Sequence, residues 1–126
     1  MLQIDYKSGI SICDQVVNGF IRLIALGVLS AGEALPSVRS MALKLSVNPN
    51  TVQKAYAVLE ERGVIYTVKG KGSFVADSSG KLAGLKESTM KDLKKDMTNA
   101  HNLGVAYKDV IDLADDIYNG GGSSDA

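Results

Sequence analysis

Over residues 10–28 the apolar side chains Cys13, Val16, Val17, Phe20, Ile21, Ile24 and Val28 recur at steps of three and four, which predicts an amphipathic helix. Gly27 and the string "SAGEALPS" then supply breakers, because the residue before Pro36 is pushed toward extended geometry. Ser37 stands where an N-cap belongs, and Val38, Met41, Ala42 and Leu45 form the apolar face of a second helix of about two turns. After the turn residues "SVNPN", Val52, Ala55, Tyr56 and Leu59 mark a third helix, closed by Arg62 and by Gly63, which can take positive φ. From Val64 the period changes. "VIYTV" and "SFVA" are β-branched and aromatic runs joined by "KGKG" at 69–72, and they predict a hairpin.

Three short helices followed by a hairpin, with a tight turn between the second and third helices, are the plan of a winged helix-turn-helix. The polar string "DSSGK" from Asp77 reads as a joint. Beyond it Leu82, Leu85, Leu93, Met97 and Ala100 predict a fourth helix, and Ala106, Tyr107, Val110, Leu113, Ala114, Ile117 and Tyr118 a fifth. The expected fold is mainly α with a small β-hairpin. A winged helix-turn-helix domain covers residues 1–76, a two-helix dimerisation tail 77–119, and a flexible C-terminal tail 120–126, the last on the composition of "GGGSSDA" alone.

Composition narrows the chemistry. The chain has 126 residues, 45% of them hydrophobic, enough for a core. One cysteine, Cys13, and one histidine, His101, leave no disulfide framework and no Cys/His metal cluster, so neither a metal nor a cofactor is expected. No apolar run reaches the ~18 to 20 residues of a membrane span, and the first residues lack the plan of a signal peptide. A cytoplasmic protein is expected. The net charge of zero conceals a split: eight Lys/Arg stand against five Asp/Glu through Ala76, and six against nine from Asp77. The positive front half suits an anionic partner.

Catalytic arrangements are not apparent. "KGKG" joins two strands and is not a P-loop, and His101 has no flanking motif to orient it as a base. Cys13 falls on an apolar helix face, and Asp109, Asp112, Asp115 and Asp116 describe the solvated face of the fifth helix. The chain is not expected to be an enzyme.

With Val52, Ala55, Tyr56 and Leu59 turned inward, Asn50, Thr51, Gln53 and Lys54 are left at the exposed start of the third helix. Amides there can read adenine edges, while hydroxyls, lysine and the positive end of the helix dipole hold phosphate. The same residues fit a surface helix capped by Asn48 or Asn50, and the two readings are compatible. Arg39 sits in the first turn of the second helix, where a cation opposes the dipole; a phosphate, a guanine edge, or a surface salt bridge to Glu33 would account for it. Lys69, Gly70, Lys71 and Gly72 suit a phosphate or minor-groove contact, or an exposed turn with solubilising lysines.

The stretch "GVLSAGEALPSVRSMALKLSVNPNTVQKAYAVLEERGVIYTVKGKGSFV" resembles the DNA-binding domain of GntR-family bacterial transcription regulators. The agreement runs over residues 10–75 and includes "G-x-L-x-x-G-x-x-L-P-S-x-R", "V-N-x-N-T-V-x-K-A-Y-x-x-L-E-x-x-G" and "G-x-G-x-F-V". The short tail resembles the YtrA-like branch, which implies a compact homodimer and often control of a transporter operon. Carried over by position, the resemblance implies DNA contacts at Ser37 and Arg39, at Asn48, Asn50, Thr51, Gln53 and Lys54, and at Lys69, Gly70, Lys71 and Gly72. The opening reads Ser11-Ile12-Cys13 where the family usually has Pro-Ile-Tyr, so that Ser11 and Cys13 depart from it, and some branches carry arginine where Gln53 stands.

Two tail helices with one apolar stripe each call for a partner, and a second copy supplies it. A two-fold dimer would set two recognition helices about 34 Å apart on an inverted-repeat operator of double-stranded DNA. The expected function is a sequence-specific transcription regulator, a repressor that occludes its promoter, with a small-molecule effector acting through the tail. A protein-docking module is the alternative class, and the basic residues at Arg39 and the hairpin tip argue against it. A large cofactor-dependent domain, fused to some relatives, does not fit in the chain as read.

Overall fold

The computed structural model describes residues 2–120; of the expected tail 120–126, all but Gly120 lies outside the described residues. The order of elements is α1 (Ile12–Ala25), α2 (Val38–Leu45), α3 (Pro49–Glu61), β1 (Ile65–Val68), β2 (Gly72–Val75), α4 (Ser79–Asn102) and α5 (Tyr107–Tyr118). Five helices and one antiparallel strand pair agree with the expected winged helix-turn-helix class. The chain divides into two compact units, Met1–Leu82 and Ala83–Ala126.

In the first unit α3 is the hub, packing against α1, α2 and β1. Its buried residues are Val52, Ala55, Tyr56 and Leu59, the face its sequence period predicts. Val16, Val17, Phe20 and Ile24 of α1 meet them, and Val64, Ile65 and Val75 close the core from the hairpin side. Cys13 is half-buried against this core. The stripe of α1 stops short of Val28, which lies outside the helix and is 55% exposed. Gly27 at φ +78° turns the chain, and Val28 N–H donates to Leu23 O (2.9 Å) while Gly27 N–H donates to Ile24 O (3.1 Å). This is a Schellman closure, which satisfies the last carbonyls and ends the period.

The helices α2, α3 and α4 close in the same way. Gly63 (φ +76°) and Gly104 (φ +83°) occupy the left-handed position after α3 and α4, but after α2 it is Ser46, at φ +55°. Val47 N–H donates to Ala42 O at 3.0 Å. The turn expected over "SVNPN" is therefore made at its first residue, Ser46, and Pro49 is already the first residue of α3. Proline suits that position because its missing N–H would have no intrahelical partner there.

The hairpin pairs Ile65 with Val75 and Val68 with Gly72. It also has a third partner that the sequence reading missed. Residues 32–35 lie along the other edge of β2, with Gly32 N–H donating to Val75 O, Val75 N–H to Glu33 O and Leu35 N–H to Ser73 O, each at 2.8 Å. What read as a breaker-rich loop thus puts β2 in the middle of a three-stranded patch.

Before α1, residues 5–10 are held by Gln15, whose Oε1 accepts from Asp5 N–H (2.7 Å). Its Nε2 donates to Asp5 O, Ile10 O and Ser8 Oγ. Leu2 packs directly over Gly19, where any Cβ would collide with it.

In the second unit, α4 and α5 are joined by a short loop and make no extended contact with each other. Their apolar stripes are uncovered: Leu85, Met90, Leu93 and Met97 on α4 are exposed, as are Leu113 and Ile117 on α5. The first turn of α4 belongs to the first unit, with Leu82 partly buried against that core.

Candidate nucleic-acid interface

Three stretches meet at one side of the first unit. Ser37, Gln53 and Lys71 border a single cleft of about 430 Å³ between the start of α2, the side of α3 and the hairpin, which we call the wing.

Ser37 caps α2 as its position predicts, its Oγ accepting from Ser40 N–H at 3.0 Å. Arg39 follows in the first turn and is exposed. Its candidate salt-bridge partner, Glu33, is otherwise engaged, accepting from Ser30 N–H at 3.0 Å. Among the described residues Arg39 has no ion pair, so the surface-bridge alternative is not formed.

At the start of α3 the capping and recognition readings separate by residue. Asn48 is the cap, its Oδ1 accepting from Asn50 N–H at 2.7 Å, which commits one of the oxygen's two lone pairs to the helix and leaves its Nδ2 amino group unengaged. Asn50, Gln53 and Lys54 are exposed, and Thr51, expected to face outward with them, is half-buried. At the tip of the wing Lys69, Gly70, Lys71 and Gly72 are all exposed. Lys71 N–H donates to Val68 O at 2.9 Å across the turn, and Gly70 takes φ +81°, a conformation that a side chain would strain.

Tyr56 holds these parts in one frame, and sequence reading recorded only its apolar half. Its ring meets Phe20 edge-on, centroids 5.6 Å apart at 81°. Its hydroxyl donates to Pro36 O at 2.7 Å, tying the middle of α3 to the residue that leads into Ser37 and Arg39. Burial pushes the phenol pKa up to about 12, since the phenolate would lose its hydration. The available signal was a tyrosine at an inward position, because a buried phenol requires a partner.

Among the described residues no group of His, Cys, Asp and Glu could hold a metal ion, and no helix is long and apolar enough to cross a membrane. Lys108 pairs with Asp112 at 2.7 Å on the outer face of α5, as expected of a solvated acidic stripe.

Comparison with known proteins bears on this surface. The family described as "Bacterial regulatory proteins, gntR family" matches residues 13–75. The HTH-type transcriptional repressor YtrA of Bacillus subtilis is 37% identical over 111 residues, 83% of this chain and 82% of that protein. Among solved structures, a transcriptional antiterminator from Listeria monocytogenes EGD-e is 40% identical with a TM-score of 0.71, covering 94% of this chain and 90% of its own. The AraR DNA-binding domain in complex with operator ORX1 is 25% identical with a TM-score of 0.53, over 60% of this chain and 96% of its own.

Proposed function

Since the chain belongs to the GntR family of bacterial regulatory proteins, DNA-binding transcription regulators and not enzymes, we propose that it is a homodimeric repressor reading an inverted-repeat operator in the bacterial cytoplasm. One observation carries the DNA-contact assignment. Arg39, Asn50, Gln53 and Lys54 are exposed, and among the described residues none of their side chains is engaged by another part of the protein. Polar groups kept free at the positive end of a helix, beside a lysine-bearing wing, are suited to phosphates and base edges. Arg39 and the wing lysines take the phosphates or groove lip in this reading, and Asn50 and Gln53 the bases.

Dimerisation is supported by the uncovered stripes of α4 and α5, because a soluble monomer seldom leaves apolar side chains such as Met90, Leu93, Met97 and Ile117 together in water. Repression is supported by the name of the Bacillus relative, and control of a transporter operon by the resemblance to its branch.

The test begins with operators selected from genomic DNA. Affinity should fall steeply with salt, with log K declining by about 0.9 per phosphate contact against log salt, and Arg39→Ala should flatten that slope by about 1. Sedimentation should give a dimer protecting two half-sites about 34 Å apart. Binding that ignores salt, or a monomer that binds a single half-site, would overturn the proposal.

A further inference from the structure

Glu60 stands in the last turn of α3, where its charge opposes the helix dipole, and on the helix assigned to DNA, where its charge repels phosphate. Two electrostatic costs at one exposed residue call for a compensating contact. Its carboxylate has one: Thr67 Oγ1 donates to Glu60 Oε1 at 3.2 Å. Thr67 faces Ser73 across the hairpin, and their hydroxyl oxygens are 3.2 Å apart. A carboxylate only accepts and threonine has one hydroxyl proton, so the order is fixed. Ser73 donates to Thr67, and Thr67 donates to Glu60.

We propose that this Ser73–Thr67–Glu60 chain is a brace that sets the wing against the recognition helix, making Glu60 a positioning residue for the wing's contact with DNA. Strand alternation puts Thr67 and Ser73 on the same face as the buried pair Ile65 and Val75, one step nearer the tip. Support from residues 32–35 ends at Leu35 N–H to Ser73 O. Beyond it only the rung Val68–Gly72 and the turn hold Lys69 and Lys71, and a short two-stranded ribbon is marginal by itself. The brace therefore acts where support from the rest of the first unit runs out. On the opposite face Tyr66 stacks on Phe74 at 5.7 Å, which stiffens the ribbon without linking it to α3.

The inference rests on the wing being a DNA contact, so its test separates the two. Four variants of the full chain are compared: Thr67→Val, Glu60→Ala, Glu60→Gln, and Lys69→Ala with Lys71→Ala. Each is checked for unchanged thermal unfolding. Operator affinity is measured from 50 to 200 mM salt, and amide order parameters of residues 69–72 are measured in the free protein. Thr67→Val and Glu60→Ala should lower those order parameters toward the flexible range, below about 0.6, weaken operator binding about tenfold, and flatten the salt slope by about 1 to 2. Glu60→Gln retains an acceptor and should keep both order and slope. The lysine variant should flatten the slope while leaving order intact. If it alone flattens the slope, or if Glu60→Ala and Glu60→Gln tighten binding alike, the brace is overturned and Glu60 is only a repelling charge. If the lysine variant leaves the slope unchanged, the wing reading fails; loss of order in Thr67→Val would then still register the brace, without a role in binding.

Discussion

Replacing Tyr56 with phenylalanine keeps the ring that meets Phe20 and deletes only the hydroxyl that donates to Pro36 O. Losing a short, part-buried hydrogen bond and stranding its carbonyl acceptor costs about 1 to 1.5 kcal/mol at neutral pH. The alkaline limb behaves in the opposite sense. Burial raises the phenol from 10 to about 12, so the folded state favours the neutral form. That contribution is complete below the unfolded pKa and is lost as pH rises through the folded one. Two pKa units correspond to about 2 to 3 kcal/mol, of which roughly half is gone at pH 11. Tyr56→Phe has no such loss, because it has no proton to release. The variant should therefore be less stable at pH 7, equal to the parent near pH 11, and more stable above it. Urea unfolding followed by circular dichroism, at half-unit steps from pH 7 to 12, gives both curves, and the deprotonation of lysines cancels in their difference. A difference that stays flat with pH would refute the desolvated phenol. A variant as stable as the parent at pH 7 would refute the tether.

Two further predictions concern the closures of the helices. Ser46→Gly removes a side chain from a left-handed position and should stabilise the first unit by about 0.5 to 1 kcal/mol, read as a higher melting temperature; a lower one would mean that the serine has a contact of its own. Gly27 and Gly63 share nearly the same φ, but a Cβ at 27 meets open space whereas one at 63 meets Lys81 Nζ. Both alanine variants should lose about 1 to 2 kcal/mol to the left-handed strain. Gly63→Ala should lose more, and Lys81→Ala should restore that excess; equal losses at the two sites would show that the lysine simply moves aside.

The parts legible in the sequence were those set by local period and local capping. The buried face of α3, the cap at Ser37 and the closing glycine at 63 all follow from residues within one or two turns of each other. Features that depend on distant partners were not legible. The pairing of residues 32–35 with β2 links segments some forty positions apart, and the string "GEAL" has no alternation to announce a strand. Gln15 reads as a polar residue on a surface helix, and its clasp exists only because residues 5–10 fold back over it. Ser46 falls within the turn that the sequence announces, but its left-handed conformation does not show. Nothing in its chemistry favours positive φ, and the position is imposed by the need to turn α2 into α3. At the candidate interface the residue types were apparent, but that Asn48 is the cap, with the Asn50 side chain left exposed, required the 2.7 Å bond.

The central position of β2 also bears on how the protein behaves when overproduced. The run that contains β2, "GSFVA", is uncharged and rich in β-formers between Lys71 and Asp77, a composition that favours intermolecular pairing once its backbone is free. In the native fold β2 is hydrogen-bonded along both edges, so it offers no template, and the outer edge of β1 is only four residues long. Variants that loosen the segment 32–35 would expose β2 before the helices melt. Their first symptom should be insoluble protein rather than loss of helix.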